Sequence, residues 1–263
     1  MIKEAILELK DLSHVYVNDA GAALAVDHIN LVVHKGEFIS LVGPSGCGKT
    51  TILNIIAGLI QPTHGELRVM GEKINSPTPK LGYMQQQDYL FPWLSIQKNA
   101  MLGLHIRNQR SKLQAERTNQ LLLELGLEDT SHKYPHQLSG GMRQRVALAR
   151  TLITDPEILL LDEPFSALDL HIKMQLEELV QSTLDRMGKT AVLVTHDLAE
   201  AVAISDRIIV LGRNPGHIRK IVTIPRDLRS VGPIEARKHP KYQSYFEEIW
   251  NELEEEMERG GNE

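Results

Sequence analysis

The sequence predicts an α/β fold, a mixed sheet interleaved with helices, and three stretches carry that expectation. Phe38 to Val42 is a continuous apolar run that reads as a buried strand; it leads through a glycine-rich turn into a helix from Thr50 to Ala57, closed by Gly58. Ile158 to Leu161 is a second such run, followed by a helix that reaches about Met187 and ends at Gly188. Ala191 to Val194 is a third, so strands and helices alternate as they do around a parallel sheet. With 263 residues, 42% of them hydrophobic, the chain can bury one sizeable core, and no second domain is forced.

The remaining elements follow from local pattern. From Ile6 to Val33 the alternation is short and β-like, with a turn around Asn18-Asp19-Ala20-Gly21, so antiparallel strands open the chain. Glu66 to Met70 reads as a further strand between Gly65 and Gly71. From about Ile96 to Ile153 apolar residues recur at helical spacing and β-branched runs vanish, which predicts an inserted α-helical subdomain. Leu121, Leu122, Leu125 and a capping Gly126 mark one of its helices. Near the end, Tyr242, Tyr245, Phe246, Ile249, Trp250, Leu253 and Met257 fall at steps of three and four on an otherwise acidic helix. That stripe either packs on its own domain or docks a partner. The expected division is therefore 1–225 for the main unit, its helical part at about 96–153, and 226–263 for a C-terminal extension with an amphipathic acidic helix.

Composition narrows the class. A net charge of −5 and a pI near 6.1 argue against a nucleic-acid partner, since affinity for a phosphate backbone comes from clustered Lys and Arg. The single cysteine, Cys47, excludes an internal disulfide and fits a reducing compartment. Met1 to Ile6 lacks the apolar core of a signal peptide, and no apolar run approaches the roughly 18 residues needed to cross a bilayer. Association with a membrane through a partner stays open.

Chemistry begins in the first glycine-rich turn. Gly43-Pro44-Ser45-Gly46-Cys47-Gly48-Lys49-Thr50 fits the pattern GxxxxGK[ST], set between a strand and a helix as the motif requires, and so predicts a nucleoside triphosphate site. Glycines let successive N–H groups point inward, the helix N-terminus adds partial positive charge, and Lys49 adds a full one. Thr50 would hold Mg²⁺ through its hydroxyl, and Thr51 follows it in the same turn. Cys47 is read as a small residue whose backbone N–H does the binding, with a reactive thiol as the alternative. Ile158-Leu159-Leu160-Leu161-Asp162-Glu163 is an apolar strand ending in two acids at the sheet edge where ligands bind. Asp162 would orient the Mg²⁺ shell, while Glu163 is free to polarise the water that attacks the γ-phosphate. A helix N-cap is the other use for one of them.

A later segment decides the family. Leu138-Ser139-Gly140-Gly141-Met142-Arg143-Gln144-Arg145, Ser-Gly-Gly followed by a helix, offers a second N-terminal anion site. It resembles the signature sequence of ATP-binding cassette (ABC) proteins, and with the other motifs the resemblance covers about Ile6 to Ile224. It implies a P-loop NTPase core, a RecA-like mixed sheet with an antiparallel β subdomain and the helical insertion. In that family the signature of one subunit, here Ser139, Gly140 and Gly141, closes on the ATP held by the phosphate loop of another. The resemblance further assigns Tyr16 to stacking on adenine and His196, in Val194-Thr195-His196-Asp197, to the γ-phosphate. Asp169, in Ser166-Ala167-Leu168-Asp169, falls in the loop that crosses the dimer interface. Gln86 is implied to reach Mg²⁺ and the attacking water; three consecutive glutamines blur the register, and alignment on Pro92-Trp93 favours Gln86.

Leu90-Phe91-Pro92-Trp93-Leu94-Ser95-Ile96 lies where transporter cassettes of the family meet their membrane subunits, although Phe91 and Trp93 also read as core aromatics. Pro92-Trp93, Tyr134-Pro135-His136-Gln137 and Asn214-Pro215-Gly216-His217-Ile218 are similar to cassettes of the nitrate, sulfonate and taurine importer group. The resemblance thus implies an ATPase using ATP and Mg²⁺, paired as a homodimer or pseudo-dimer beneath two transmembrane permease subunits. It would lie at the cytoplasmic face of the cell membrane and be served by an extracytoplasmic substrate-binding protein. The alternative is a soluble ABC-type ATPase not coupled to transport. The solute itself is chosen by the partners.

Overall fold

The computed structural model describes residues 4–18, 21–109 and 111–259. Met1–Lys3, the Asp19-Ala20 tip of the expected turn and the side chain of Met257 lie outside the described residues. In chain order the elements are β1 (Ala5–Asn18), β2 (Gly21–His34), β3 (Phe38–Val42), α1 (Lys49–Ile56), β4 (His64–Val69), β5 (Glu72–Lys73) and β6 (Leu81–Met84). The helical stretch holds α2 (Ile96–Ala100), α3 (Leu102–Ile106), α4 (Lys112–Glu124), a 3₁₀ turn at Pro135–Gln137 and α5 (Gly140–Leu152). Then come β7 (Ile158–Asp162), α6 (Leu170–Met187), β8 (Thr190–Val194), α7 (Leu198–Ile204), β9 (Arg207–Gly212) and β10 (His217–Thr223). The chain closes with α8 (Arg226–Arg229), α9 (Pro233–Ala236) and α10 (Tyr242–Arg259).

Two sheets result. β2-β1-β4-β5 form an antiparallel layer, and the larger sheet runs β10-β9-β3-β8-β7-β6, parallel except for β10. The strands of the larger sheet are apolar without alternation because both faces are covered, and successive residues divide between two cores. Ile158, Leu160, Val192 and Val194 face the antiparallel layer and α1, where Leu7, Leu9, Val33, Ile52 and Ile56 meet them. Leu159, Leu161, Ala191 and Leu193 face the opposite way, onto α6 and the helical insertion through Leu176, Val180, Leu148 and Leu152.

A third cluster sits at the far edge. Val42, Ile208 and Val210 are covered there by α7 and by Tyr242, Ile249 and Leu253 of α10. The C-terminal stripe therefore packs on its own chain, with one difference from the sequence reading. Trp250 is 49% exposed, because it follows Ile249 by a single residue, about 100° around the helix, and it stacks outward on Phe246. Among the described residues no helix is long and apolar enough to cross a membrane.

Candidate active site

The site lies along the C-terminal edge of the parallel strands. β3 delivers the chain at Val42 into the turn Gly43–Gly48, and α1 starts at Lys49. Gly48 has a left-handed backbone at φ 88°, and a Cβ there would collide with Val26 of the antiparallel layer, so the helix can begin at this point only with glycine. The Lys49 ammonium donates to the carbonyls of Gly43 at 2.7 Å and Pro44 at 3.0 Å, which fixes it over the mouth of the loop. Cys47 is fully buried, and burial pushes its thiol up against the pull of Lys49, so it acts as packing. Ser45, Gly46 and Thr50 face solvent; Thr51 is buried, with its hydroxyl 3.4 Å from that of Tyr16. Tyr16, 42% exposed, stands edge-on to His14 at the rim.

β7, two strands away, carries Asp162 and Glu163 to the same edge. Burial raises the Asp162 carboxyl above its ordinary value, while a hydrogen bond donated by Tyr83 at 3.2 Å and the charge of Lys49 pull the other way. Glu163 has a left-handed backbone at φ 45°, tied by its N–H to the Val194 carbonyl. A glutamate held in that conformation costs of order 1–3 kcal/mol, and such strain gathers at functional sites. Two side chains from other strand ends converge on one of its oxygens: Gln86 Nε2 at 3.2 Å and His196 Nδ1 at 3.1 Å. Of the three adjacent glutamines, Gln86 is thus the one hydrogen-bonded to Glu163, and Ser166 Oγ also accepts from it at 3.2 Å.

The structure gathers Gly43–Thr51, Tyr16, Gln86, Asp162, Glu163 and His196 along one edge and sets Ser139, Gly140, Gly141 and Asp169 on neighbouring helix ends. Ser139 caps α5 by accepting from the Met142 N–H at 3.3 Å, and Asp169 caps α6 by accepting from Ile172 at 3.1 Å. A Cβ on Gly141 would come within 2.5 Å of Ile172 Cγ2, so this glycine serves the approach of α5 to α6.

Several residues that organise the site were given no individual role from sequence. Tyr83 reaches Asp162 from β6, and α5 holds the segment after β6 in place through Gln144 to the Gln86 carbonyl at 3.0 Å and Arg143 to Asp88 at 3.0 Å. Arg150 adds a bond to the Tyr89 carbonyl at 2.9 Å. A cleft of about 460 Å³ runs between this segment, Gly140 and Leu168. Beside it Phe91 (37% exposed) and Trp93 (69% exposed) form a tilted pair at the surface, which decides against the core reading.

A strand, phosphate loop and helix beside an acid pair at a parallel-sheet edge define a nucleotide-binding cassette. A model of the ABC transporter family matches residues 26–166, and the chain belongs to that family. It is 50% identical over 249 residues, 95% of the chain and 96% of the relative, to the uncharacterised ABC transporter ATP-binding protein YtlC of Bacillus subtilis. Its identity to the taurine import ATP-binding protein TauB of Jannaschia sp. is 38% over 252 residues, 92% of each. The solved dimer of the cassette MJ0796, in a post-hydrolysis state bound to ADP and Pi, superposes with a TM-score of 0.74. That match is 34% identical and covers 84% of this chain and 99% of the other. The chain is an ATP-binding cassette ATPase.

Proposed function

We propose that this chain hydrolyses ATP to drive uptake of a small solute through a membrane permease, working as a pair of cassettes. The observation that carries the chemistry is the convergence of Gln86 and His196 on one oxygen of Glu163. Glu163 takes the proton of the water that attacks the γ-phosphate, Gln86 aligns that water, and His196, donating from Nδ1, orients the carboxylate. Lys49 and the loop N–H groups neutralise charge on the β- and γ-phosphates, and Tyr16 supplies the stacking surface for adenine. Thr50, Gln86 and Asp162 present a hydroxyl, an amide oxygen and a carboxylate; this hard-oxygen set fits Mg²⁺, which would offset phosphate charge there. Ser139, Gly140, Gly141 and Asp169, at their helix ends, meet the nucleotide of the second cassette.

The importer reading rests on the names of relatives such as TauB and on the exposed Phe91-Trp93 pair, an apolar patch of the kind that docks a partner. It places residues 1–225 as the cassette, 226–263 as an extension, and the chain at the cytoplasmic face of two permease subunits fed by an extracytoplasmic binding protein. Nitrate, a sulfonate, taurine or a similar small solute is the class transported. Glu163→Gln should keep ATP affinity and slow hydrolysis at least about a hundredfold. Hydrolysis by that variant at the wild-type rate removes Glu163 from its role. Trp93→Ala should weaken co-purification with the permease while basal hydrolysis persists; undiminished capture would move the docking surface elsewhere.

A further inference from the structure

The His196 side chain is 65% exposed, so the aim of its ring is set by its backbone. Thr195, before it, is buried and bonded to the Leu41 carbonyl at 3.3 Å, and its hydroxyl accepts from the Asp197 N–H at 3.0 Å. Asp197, after it, divides its carboxylate. One oxygen caps α7 by accepting from the Glu200 N–H at 3.1 Å, and the other receives the Lys173 ammonium at 2.7 Å. Lys173, 8% exposed on α6, also pairs with Glu200 at 2.8 Å, and Glu200 is itself only 2% exposed. One cation therefore holds two carboxylates from the turn that follows His196.

The same lysine belongs to the first turn of α6, where its N–H bonds the carbonyl of the capping residue Asp169 at 2.9 Å. We propose that Lys173 is a positioning residue for His196: shared by Asp197 and Glu200, it fixes the backbone that aims the imidazole at Glu163. It also ties that loop to the helix turn that Asp169 caps. Burial pushes Glu200 up to about 8 against the pull of Lys173, so loss of the ammonium removes the cation that joins its carboxylate to that of Asp197. This role for Lys173 rests on the reading of His196 as a catalytic group.

Steady-state hydrolysis by the full chain tests it. Lys173→Met keeps length and volume without charge; it should lower kcat by about tenfold to a hundredfold with KM for ATP within about twofold of wild type. Lys173→Arg should restore most of the rate. Asp197→Asn keeps a good cap acceptor but loses the charge that Lys173 grips, and should reproduce the kcat loss. On a His196→Ala background Lys173→Met should cost almost nothing more. Wild-type rates for Lys173→Met and Asp197→Asn beside a slow His196→Ala, or losses that multiply in the double variant, overturn the positioning role alone. A His196→Ala variant at the wild-type rate overturns the catalytic reading beneath it. If Lys173→Met fails to bind ATP and is therefore misfolded, the rate of Asp197→Asn decides between these outcomes.

Discussion

Lys49 spans its own loop, with bonds to the carbonyls of Gly43 and Pro44, so it is already aimed before it meets phosphate. Lys49→Ala should therefore abolish ATP affinity itself, because the charge acts on phosphates present in the ground state. An unchanged dissociation constant for ATP, read by titration, contradicts the assignment. Residues of this kind were legible in sequence because their chemistry is local: Gly43–Thr50 work through consecutive N–H groups, and Asp162 and Glu163 end one strand. Tyr83 was not legible, since it serves Asp162 across 79 positions, and Gln144 serves Gln86 across 58. No motif marks Tyr83, and Gln144 lies inside the signature stretch without any mark of this role; only the pairing of β6 with β7 and the packing of α5 bring them in.

At the scale of elements, α5 is limited by Gly141. Gly141→Ala places a methyl 2.5 Å from Ile172 Cγ2, an overpacking that costs roughly 1–3 kcal/mol. Its Tm should fall, and Ile172→Ala in the same chain should recover part of the loss; equal Tm values for both variants would remove the steric account. α10 is latched differently. Arg219 on β10 bonds Glu252 at 2.8 Å and Glu256 at 2.9 Å, and Lys220 adds Glu252 and Glu248. Arg219 first and Lys220 second hold Glu252 below its ordinary 4.5. A depressed carboxylate contributes stability above its unfolded value and loses it as pH falls through the folded one, so the latch weakens below about pH 4.5. In a Trp93→Phe chain, Trp250 emission should report α10 loosening there before global unfolding; a single coincident transition would oppose it. The stripe on α10 was legible as a helix that packs, yet spacing alone did not separate the buried Ile249 from the outward Trp250, because both fall within a broad apolar arc.

At the scale of the whole molecule, the proposed pairing sets the phosphate loop of one cassette against the signature of another, so lesions in the two can be carried by different chains. A Lys49→Ala chain and a Ser139→Arg chain, each inactive alone, should regain hydrolysis on mixing, since the mixed pair assembles one site from an intact phosphate loop and an intact signature. Recovery should rise with the fraction of mixed pairs and vanish on dilution. A mixture that stays inactive while mixed pairs are demonstrably present contradicts the shared site. The α/β class was legible from three apolar runs, but their order in the sheet was not, because pairing partners are chosen by packing and crossover geometry. That order has a consequence for synthesis. β3, early in the chain, lies between β8 and β9, and the Phe38 N–H bonds a carboxylate 168 positions later. At about 5–20 residues per second a ribosome needs roughly 8–34 s to supply those partners, and for most of that interval, until β8 is made, the apolar strand behind the phosphate loop has no parallel neighbour to join. Nascent chains stopped short of β9 should accordingly bind no ATP, and should be held by chaperones until the last parallel strand emerges.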